Sequence, residues 1–170
     1  VLRHADAMLW NVFRERREVD HVEIAMRAVE ALFPGETLER MDARLEHILV
    51  DEFQDTNVLQ CDLLRGLTSG WQQDEGRTLF LVGDPMQSIY RFRGADVGLF
   101  LEVRSRGLGG LRLEPLTLAV NFRSTQPVID WINTSFARVL PATDDEATGT
   151  VSYTPSTGAD AAGARAEVAA

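Results

Sequence analysis

Ile48-Leu49-Val50-Asp51-Glu52-Phe53-Gln54-Asp55-Thr56 is a short apolar run that stops abruptly in acid and amide side chains. The pattern recurs twice. Leu79-Phe80-Leu81-Val82 runs into Gly83-Asp84-Pro85, and Leu116-Thr117-Leu118-Ala119-Val120 runs into Asn121-Phe122-Arg123. Short continuous apolar runs predict strands covered on both faces. Helical spacing follows between and after them: Val58 to Leu67, with Leu59, Leu63, Leu64 and Leu67 apolar; Ala95 to Val103; and Gln126 to Val139. The last has Ser124 or Thr125 as cap and Pro127 in its first turn. Strands alternating with helices predict an α/β architecture with a parallel sheet. In such sheets chemistry gathers at the carboxyl ends of the strands, where all three polar clusters lie.

The N-terminal region reads as helical. Ala5, Met8, Leu9, Val12 and Phe13 recur at helical spacing before a charged run, Arg14 to Glu18. Asp20 with Glu23 three residues on has the form of a capping box. Val22, Ala25, Met26, Val29 and Leu32 then share one face, ended by Pro34-Gly35. Both stripes read as helix-packing faces. Cys61 reads as a small buried hydrophobe, and Trp10, Trp71 and Trp131 as packing residues. From Pro141 to Ala170 the composition shifts to Ala, Thr, Gly, Asp and Ser, which predicts a linker with short strands at Thr150–Tyr153 and Ala166–Val168.

Composition narrows the chemistry. The 170 residues are 45% apolar and 25% charged, ordinary globular values. One cysteine excludes an internal disulfide framework, and His4, His21 and His47 are too dispersed to suggest a ligand cluster. No run approaches the ~18 apolar residues of a membrane span. The absence of a basic-then-apolar leader, together with the lone thiol, leads to the expectation of a cytoplasmic location. All 17 basic residues are arginine. Without lysine, no mechanism that needs a lysine in cis is open, the phosphate-loop lysine and Schiff-base chemistry included. The net charge of −9 argues against a uniformly basic nucleic-acid binder. Its distribution says more. Residues 1–56 carry −6 and residues 139–170 carry −4, whereas residues 86–126 carry +3 and hold Tyr90, Phe92 and Phe122 among their arginines. Arginines interleaved with aromatics form the pattern of a single-stranded nucleic-acid platform.

Two adjacent carboxylates at a strand end are costly if buried unpaired. A divalent cation would relieve that cost: one carboxylate holds it and the neighbour polarises an attacking water. Alone, Asp51-Glu52 is a weak signal and reads better as a solvated strand end than as a metal site. The longer strings are more specific. Asp51-Glu52-Phe53-Gln54-Asp55-Thr56 is followed at the next strand end by Gly83-Asp84-Pro85-Met86-Gln87-Ser88-Ile89-Tyr90-Arg91-Phe92-Arg93-Gly94-Ala95, and at the third by Asn121-Phe122-Arg123-Ser124-Thr125. In wording, order and spacing these strings resemble motifs II, III and IV of UvrD/Rep-type superfamily 1 DNA helicases. The second string, and Val19-Asp20 upstream, are most similar to the RecB/AddA (exodeoxyribonuclease V beta-like) branch, whose members are large helicase-nucleases. The resemblance covers about residues 19 to 140.

The resemblance implies roles. Asp51 is expected to hold the magnesium of Mg-ATP and Glu52 to act as general base toward the attacking water. Gln87 is expected to sense the γ-phosphate and link hydrolysis to DNA contact, and Arg123 to reach that phosphate from the second lobe. Phe122 stands where many members carry a tyrosine stacked on adenine, and the π-face survives the exchange. Tyr90 and Phe92 are expected to stack on single-stranded DNA bases, with Arg93 contacting the strand. Many members have tryptophan at the place of Phe92, so a smaller platform is expected here. Read singly, these residues have plainer roles: Tyr90 and Phe92 as core or turn aromatics, Arg123 as a surface ion pair, Gln87-Ser88 as the cap of a short helix. Asp55, Asp84 and Arg91 keep more than one reading.

The family's phosphate loop, with its lysine, is absent, and so are the later motifs of the second lobe and any nuclease domain. The resemblance therefore implies an interior part of a longer helicase built on a partial RecA-like P-loop NTPase lobe. Residues 1–45 form a helical lead-in, 46–112 the C-terminal part of the first RecA-like lobe, 113–140 the start of the second, and 141–170 a linker or short strands. The expected function is that of an ATP-dependent, 3′-to-5′ DNA helicase of repair or recombination, with ATP and magnesium as cofactors. The expected partners are single- or double-stranded DNA and a second helicase-nuclease polypeptide, and no membrane. The chain alone, lacking the phosphate cradle, is expected to hydrolyse ATP negligibly. A non-catalytic remnant that binds single-stranded DNA or a partner protein is the alternative. A magnesium phosphoesterase using Asp51, Glu52 and Asp84 is a third reading, one that leaves the glutamine-aromatic-arginine block unexplained.

Overall fold

A computed structural model describes residues 2–32 and 45–159. Two short strands, β1 (His47–Val50) and β2 (Thr78–Leu81), pair with each other. The Thr78 amide donates to the Glu46 carbonyl at 2.9 Å and the Val82 amide to the Val50 carbonyl at 2.8 Å. The spacing between partners is the same at both ends, so the strands run parallel. A second pair, β3 (Val120–Asn121) and β4 (Thr157–Gly158), is also parallel, with Val120 opposite Thr157 and Asn121 opposite Gly158.

The fold is thus mixed helix and strand with short parallel sheets, compatible with an α/β helicase domain. Burial departs from expectation. Residues of β1 and β2 alternate between exposed and half-buried instead of being covered on both faces. Leu49 and Phe80 lie on the face that no described residue packs against closely, and they remain exposed. The third apolar run becomes strand only at Val120, opposite Thr157 of the two-residue β4, and the Thr157 amide donates to the Ala119 carbonyl. Thr150 makes a single bridge to Asp145, and β4 forms later than the strand expected at Thr150–Tyr153. The strand expected at Ala166–Val168 lies outside the described residues.

The described residues form two compact units. One comprises those up to Ile48 together with Val58–Leu79. It contains α1 (Leu2–Arg16), α2 (His21–Leu32) and α3 (Val58–Leu67). Half of the expected capping box forms: Asp20 Oδ1 accepts the Glu23 amide at 2.8 Å. The Glu23 carboxylate instead takes the Arg27 guanidinium at 2.7 Å, and that guanidinium also lies 5.0 Å from the centre of the Trp10 ring on α1. Leu32 of α2 and Cys61 and Leu64 of α3 are buried, and so is Trp71 beyond the end of α3. Met8, Leu9 and Val12 on α1, and Val22 and Met26 on α2, are exposed. The α1 stripe is therefore largely uncovered by the described residues, and the α2 stripe is covered only toward Leu32, in part contrast to the packing faces expected of them.

The other unit comprises Leu49–Asn57 and the described residues from Phe80 onward. It contains α4 (Val97–Arg106) and α5 (Gln126–Val139). Phe53, Leu99, Leu101, Val103, Leu108, Leu111 and Ile129 form its core. Asp96 caps α4 by accepting the Gly98 amide at 2.9 Å. A Cβ on Gly98 would lie 2.4 Å from the Glu146 carbonyl, so the glycine admits the 144–150 turn onto the helix. Arg104 and Arg106 of α4 then bind Asp144 and Glu146 of that turn. Thr125 occupies the cap position of α5, and its carbonyl accepts the Val128 and Ile129 amides. Asn133 holds the following strand segment through the Ser156 backbone and the Tyr153 hydroxyl.

Candidate functional site

The chain leaves β1 through a tight turn fastened to the end of β2: the Phe53 amide donates to the Val82 carbonyl at 2.8 Å. Making that turn puts Glu52 at φ 54°, ψ 40°, in the left-handed region. For a side chain other than glycine this costs about 1–2 kcal/mol. Such strain survives where the surroundings over-determine it, and it concentrates at functional sites. Here the fixing contacts are local. Asp51 Oδ1 accepts the Glu52 amide at 2.9 Å, and Phe53 is buried, its ring centre 6.0 Å from that of Phe100.

Gln54 organises the rest. It is 1% exposed. Its Nε2 donates to Glu52 Oε2 at 2.6 Å and, at 3.4 Å, to Asp55 Oδ2. Its Oε1 accepts the Asp84 amide at 3.0 Å. Its carbonyl accepts the Ser88 hydroxyl at 3.3 Å. Only this amide orientation works, because the reversed one would face carbonyl oxygen to carboxylate and N–H to N–H. Asp84 then divides its carboxylate between the Met86 amide at 3.0 Å and Gln87 Nε2 at 2.7 Å. The ends of β1 and β2 are thereby joined by one hydrogen-bonded run, Glu52–Gln54–Asp84–Gln87. Its two outer members are exposed and its hub is buried.

Gly83 makes the run sterically feasible. A Cβ there would lie 2.6 Å from Gln54 Oε1 and 3.1 Å from the Phe100 ring. Composition and spacing assign no role to Gln54, although it stands within the polar string after β1. Its importance depends on which strand lies beside β1, and the only sequence signal is the glycine opposite it. Asp84 resolves as a connector between Gln54 and Gln87. Asp55 Oδ1 is buried with no hydrogen-bond partner among the described residues.

The aromatic block follows in the same unit. Tyr90 and Phe92 lie 6.0 Å apart, tilted by 55°, around the short turn Arg91–Arg93. Phe92 is 79% exposed and offers its ring to solvent. Arg93 ends the turn, followed by Gly94 in the left-handed region. Asn121 Oδ1 accepts the Arg123 and Ser124 amides, both at 2.9 Å. This folds the loop after β3 so that Phe122, 84% exposed, and Arg123 project outward. Among the described residues no hydrogen bond or ion pair joins Arg123 to Asp51, Glu52 or Gln87. The structure therefore connects Glu52 and Gln87, carries Tyr90, Phe92 and Arg93 on one turn, and leaves Phe122 and Arg123 on a loop of their own.

The donor set fits magnesium held with a nucleotide. Asp51 is exposed at the strand end, and its Oδ2 has no partner among the described residues. No group of three His, Cys, Asp or Glu among the described residues could hold a metal ion. One carboxylate, completed by waters and phosphate oxygens, is how magnesium is commonly bound.

The UvrD/REP helicase N-terminal domain family matches residues 2–106. The chain belongs to that family. Its relatives include the AddA polypeptide of the ATP-dependent helicase/nuclease of Staphylococcus epidermidis, 36% identical over 141 residues, or 80% of this chain and 11% of the relative. The protein of the same name from Pelotomaculum thermopropionicum is 37% identical over 131 residues, covering 74% of this chain and 10% of the relative. That from Anoxybacillus flavithermus is 41% identical over 116 residues, 66% of this chain and 9% of the relative. This UvrD/REP-family chain spans about a tenth of the length of these relatives. No helix among its described residues is long and apolar enough to cross a membrane.

Proposed function

We propose that the chain is the nucleotide-hydrolysis and strand-contact part of an ATP-dependent DNA helicase that moves 3′ to 5′ in repair or recombination. Residues 46–112 belong to the first RecA-like lobe, 113–140 open the second, 1–45 lead in, and 141–170 are linker or short strands. The observation that carries this reading is the hydrogen-bonded run from Glu52 to Gln87, in a segment matched by the helicase family.

Asp51 would hold the magnesium of Mg-ATP through the carboxylate oxygen that does not accept the Glu52 amide. Magnesium, when bound with ATP, neutralises phosphate charge during transfer. Glu52 takes a proton from the attacking water at Oε1, since Oε2 is engaged by Gln54. Gln87 contacts the terminal phosphate and carries its position to the Tyr90–Phe92 turn a few residues on. The exposed Phe92 ring stacks on a DNA base, and Arg93 contacts the strand. Phe122 stacks on the adenine, and Arg123 stabilises the transferring phosphate on lobe closure. The lysine of the phosphate cradle has to come from residues other than these 170, which contain none.

The test is DNA-stimulated ATPase of the full-length helicase carrying Glu52→Gln. Loss of a general base lowers kcat by about 10²–10⁴-fold, while ATP binding persists. Retention of DNA-stimulated turnover by this variant rules the assignment out. The 170-residue chain itself is expected to hydrolyse ATP negligibly. The lack of lysine also favours a second reading, a non-catalytic module that binds single-stranded DNA. In that case the chain alone binds an oligonucleotide in a salt-dependent manner without ATP, and Phe92→Ala weakens binding by about 1–3 kcal/mol.

A further inference from the structure

We propose that Gln54 is a positioning residue: it aims the Glu52 carboxylate and ties it, through Asp84, to Gln87. The inference rests on the reading of Glu52 as general base and deepens it.

Three observations converge. First, every polar group of the Gln54 side chain is used, and each bond goes to a segment that carries a candidate catalytic group. At 1% exposure, Gln54 cannot reach a ligand itself. Second, Glu52 has a left-handed backbone at the turn out of β1. The 2.6 Å bond from Gln54 Nε2 fixes one carboxylate oxygen and leaves the other for a water. Third, Gly83 has no Cβ where one would overlap Gln54 Oε1. The end of β2 is shaped to accept this amide, and the next residue, Asp84, receives it through its own amide and grips Gln87 through its carboxylate. A shift of Gln87 therefore acts on Glu52 through one buried side chain. A direct contact between the two exposed ends would be open to competition from water.

The experiment uses the full-length helicase with Gln54→Ala and Gln54→Glu. The second keeps the size and an acceptor for the Asp84 amide, but loses the donor to Glu52. In both, kcat falls about tenfold to a hundredfold, as for residues that orient a reacting group, and KM for ATP stays within about twofold. The readout independent of turnover is the change in oligo-dT affinity on adding Mg–AMP-PNP. Wild type shows this coupling, whereas both variants bind oligo-dT as wild type does without nucleotide and no longer respond to it. Wild-type kcat and coupling in Gln54→Glu overturn the proposal. So does a loss of nucleotide affinity, DNA affinity and melting temperature together in both variants, which assigns Gln54 to the fold alone. Glu52→Gln separates the two levels. If it stays active, the general-base reading fails; if it is inactive while both Gln54 variants are normal, only the positioning role fails.

Discussion

The loops after β1 and β3 both turn a strand end into a presented pair of residues, yet they are built in opposite ways. After β1, Glu52 is anchored by a buried side chain, Gln54, that also engages the neighbouring strand. After β3, Phe122 and Arg123 are carried by a turn that Asn121 folds on its own backbone. The first loop is completed from within the chain. The second holds only its backbone in shape and offers its side chains to something else. On the proposed reading, a group that acts as a base needs a fixed carboxylate, whereas an exposed stacking ring and guanidinium can be fixed by the ligand they meet.

The comparison can be broken at either loop. The largest stability effect is expected from Gly83→Ala, which drives a methyl into Gln54 Oε1 at 2.6 Å and has the Phe100 ring behind it. Overpacking of this kind costs about 1–3 kcal/mol, and a melting experiment on the chain checks it. An unchanged melting temperature means the β1 loop is less tightly built than described. Asn121→Ala removes the acceptor for two amides and is expected to cost about 0.5–2 kcal/mol, the range of a lost cap. Phe122→Ala at the same loop should stay within about 0.5 kcal/mol, because the exposed ring contributes little to folding. Equal costs for these two variants would sink the distinction between backbone and side chain drawn above.

The smallest effect concerns the 144–150 turn and depends on pH. The Ser152 backbone N–H, aided by the Ser152 hydroxyl and Arg104, holds the Asp144 carboxyl below the usual carboxylate range, against the opposing effect of burial. A carboxylate depressed in the folded state adds stability that is present above its unfolded value, about 3.9. That stability is lost as pH falls through the lower folded value. Asp144→Asn is therefore expected to melt below wild type at neutral pH, with the gap closing under acid. A gap that stays constant down to pH about 2 contradicts this account.

Periodicity and strand-end polarity reveal most of the frame. The helices at Val58–Leu67 and Gln126–Val139 coincide with their apolar spacing, and β1 and β2 lie on their apolar runs. Burial is less legible. Leu118 belongs to an apolar run yet is 94% exposed, because a run specifies what can be covered and not whether a cover lies within reach. Asp51, Glu52, Gln87, Tyr90 and Phe92 stand out through motif wording, which encodes chemistry directly. Gln54 does not, since its partners lie two residues away on its own loop and thirty residues away, past the end of β2. Only knowing that the two strands are neighbours turns a polar residue in a string into the hub of a site.

The left-handed backbone of Glu52 sets two selective pressures against each other at one codon. Conformation favours glycine or asparagine there, whereas the general-base role proposed for Glu52 calls for the longer carboxylate. A library screened only for heat resistance should drift toward the short residues and lose turnover. One screened only for turnover should retain glutamate and its strain. Position 52 can therefore report which of the two a given lineage or engineering campaign has been selecting.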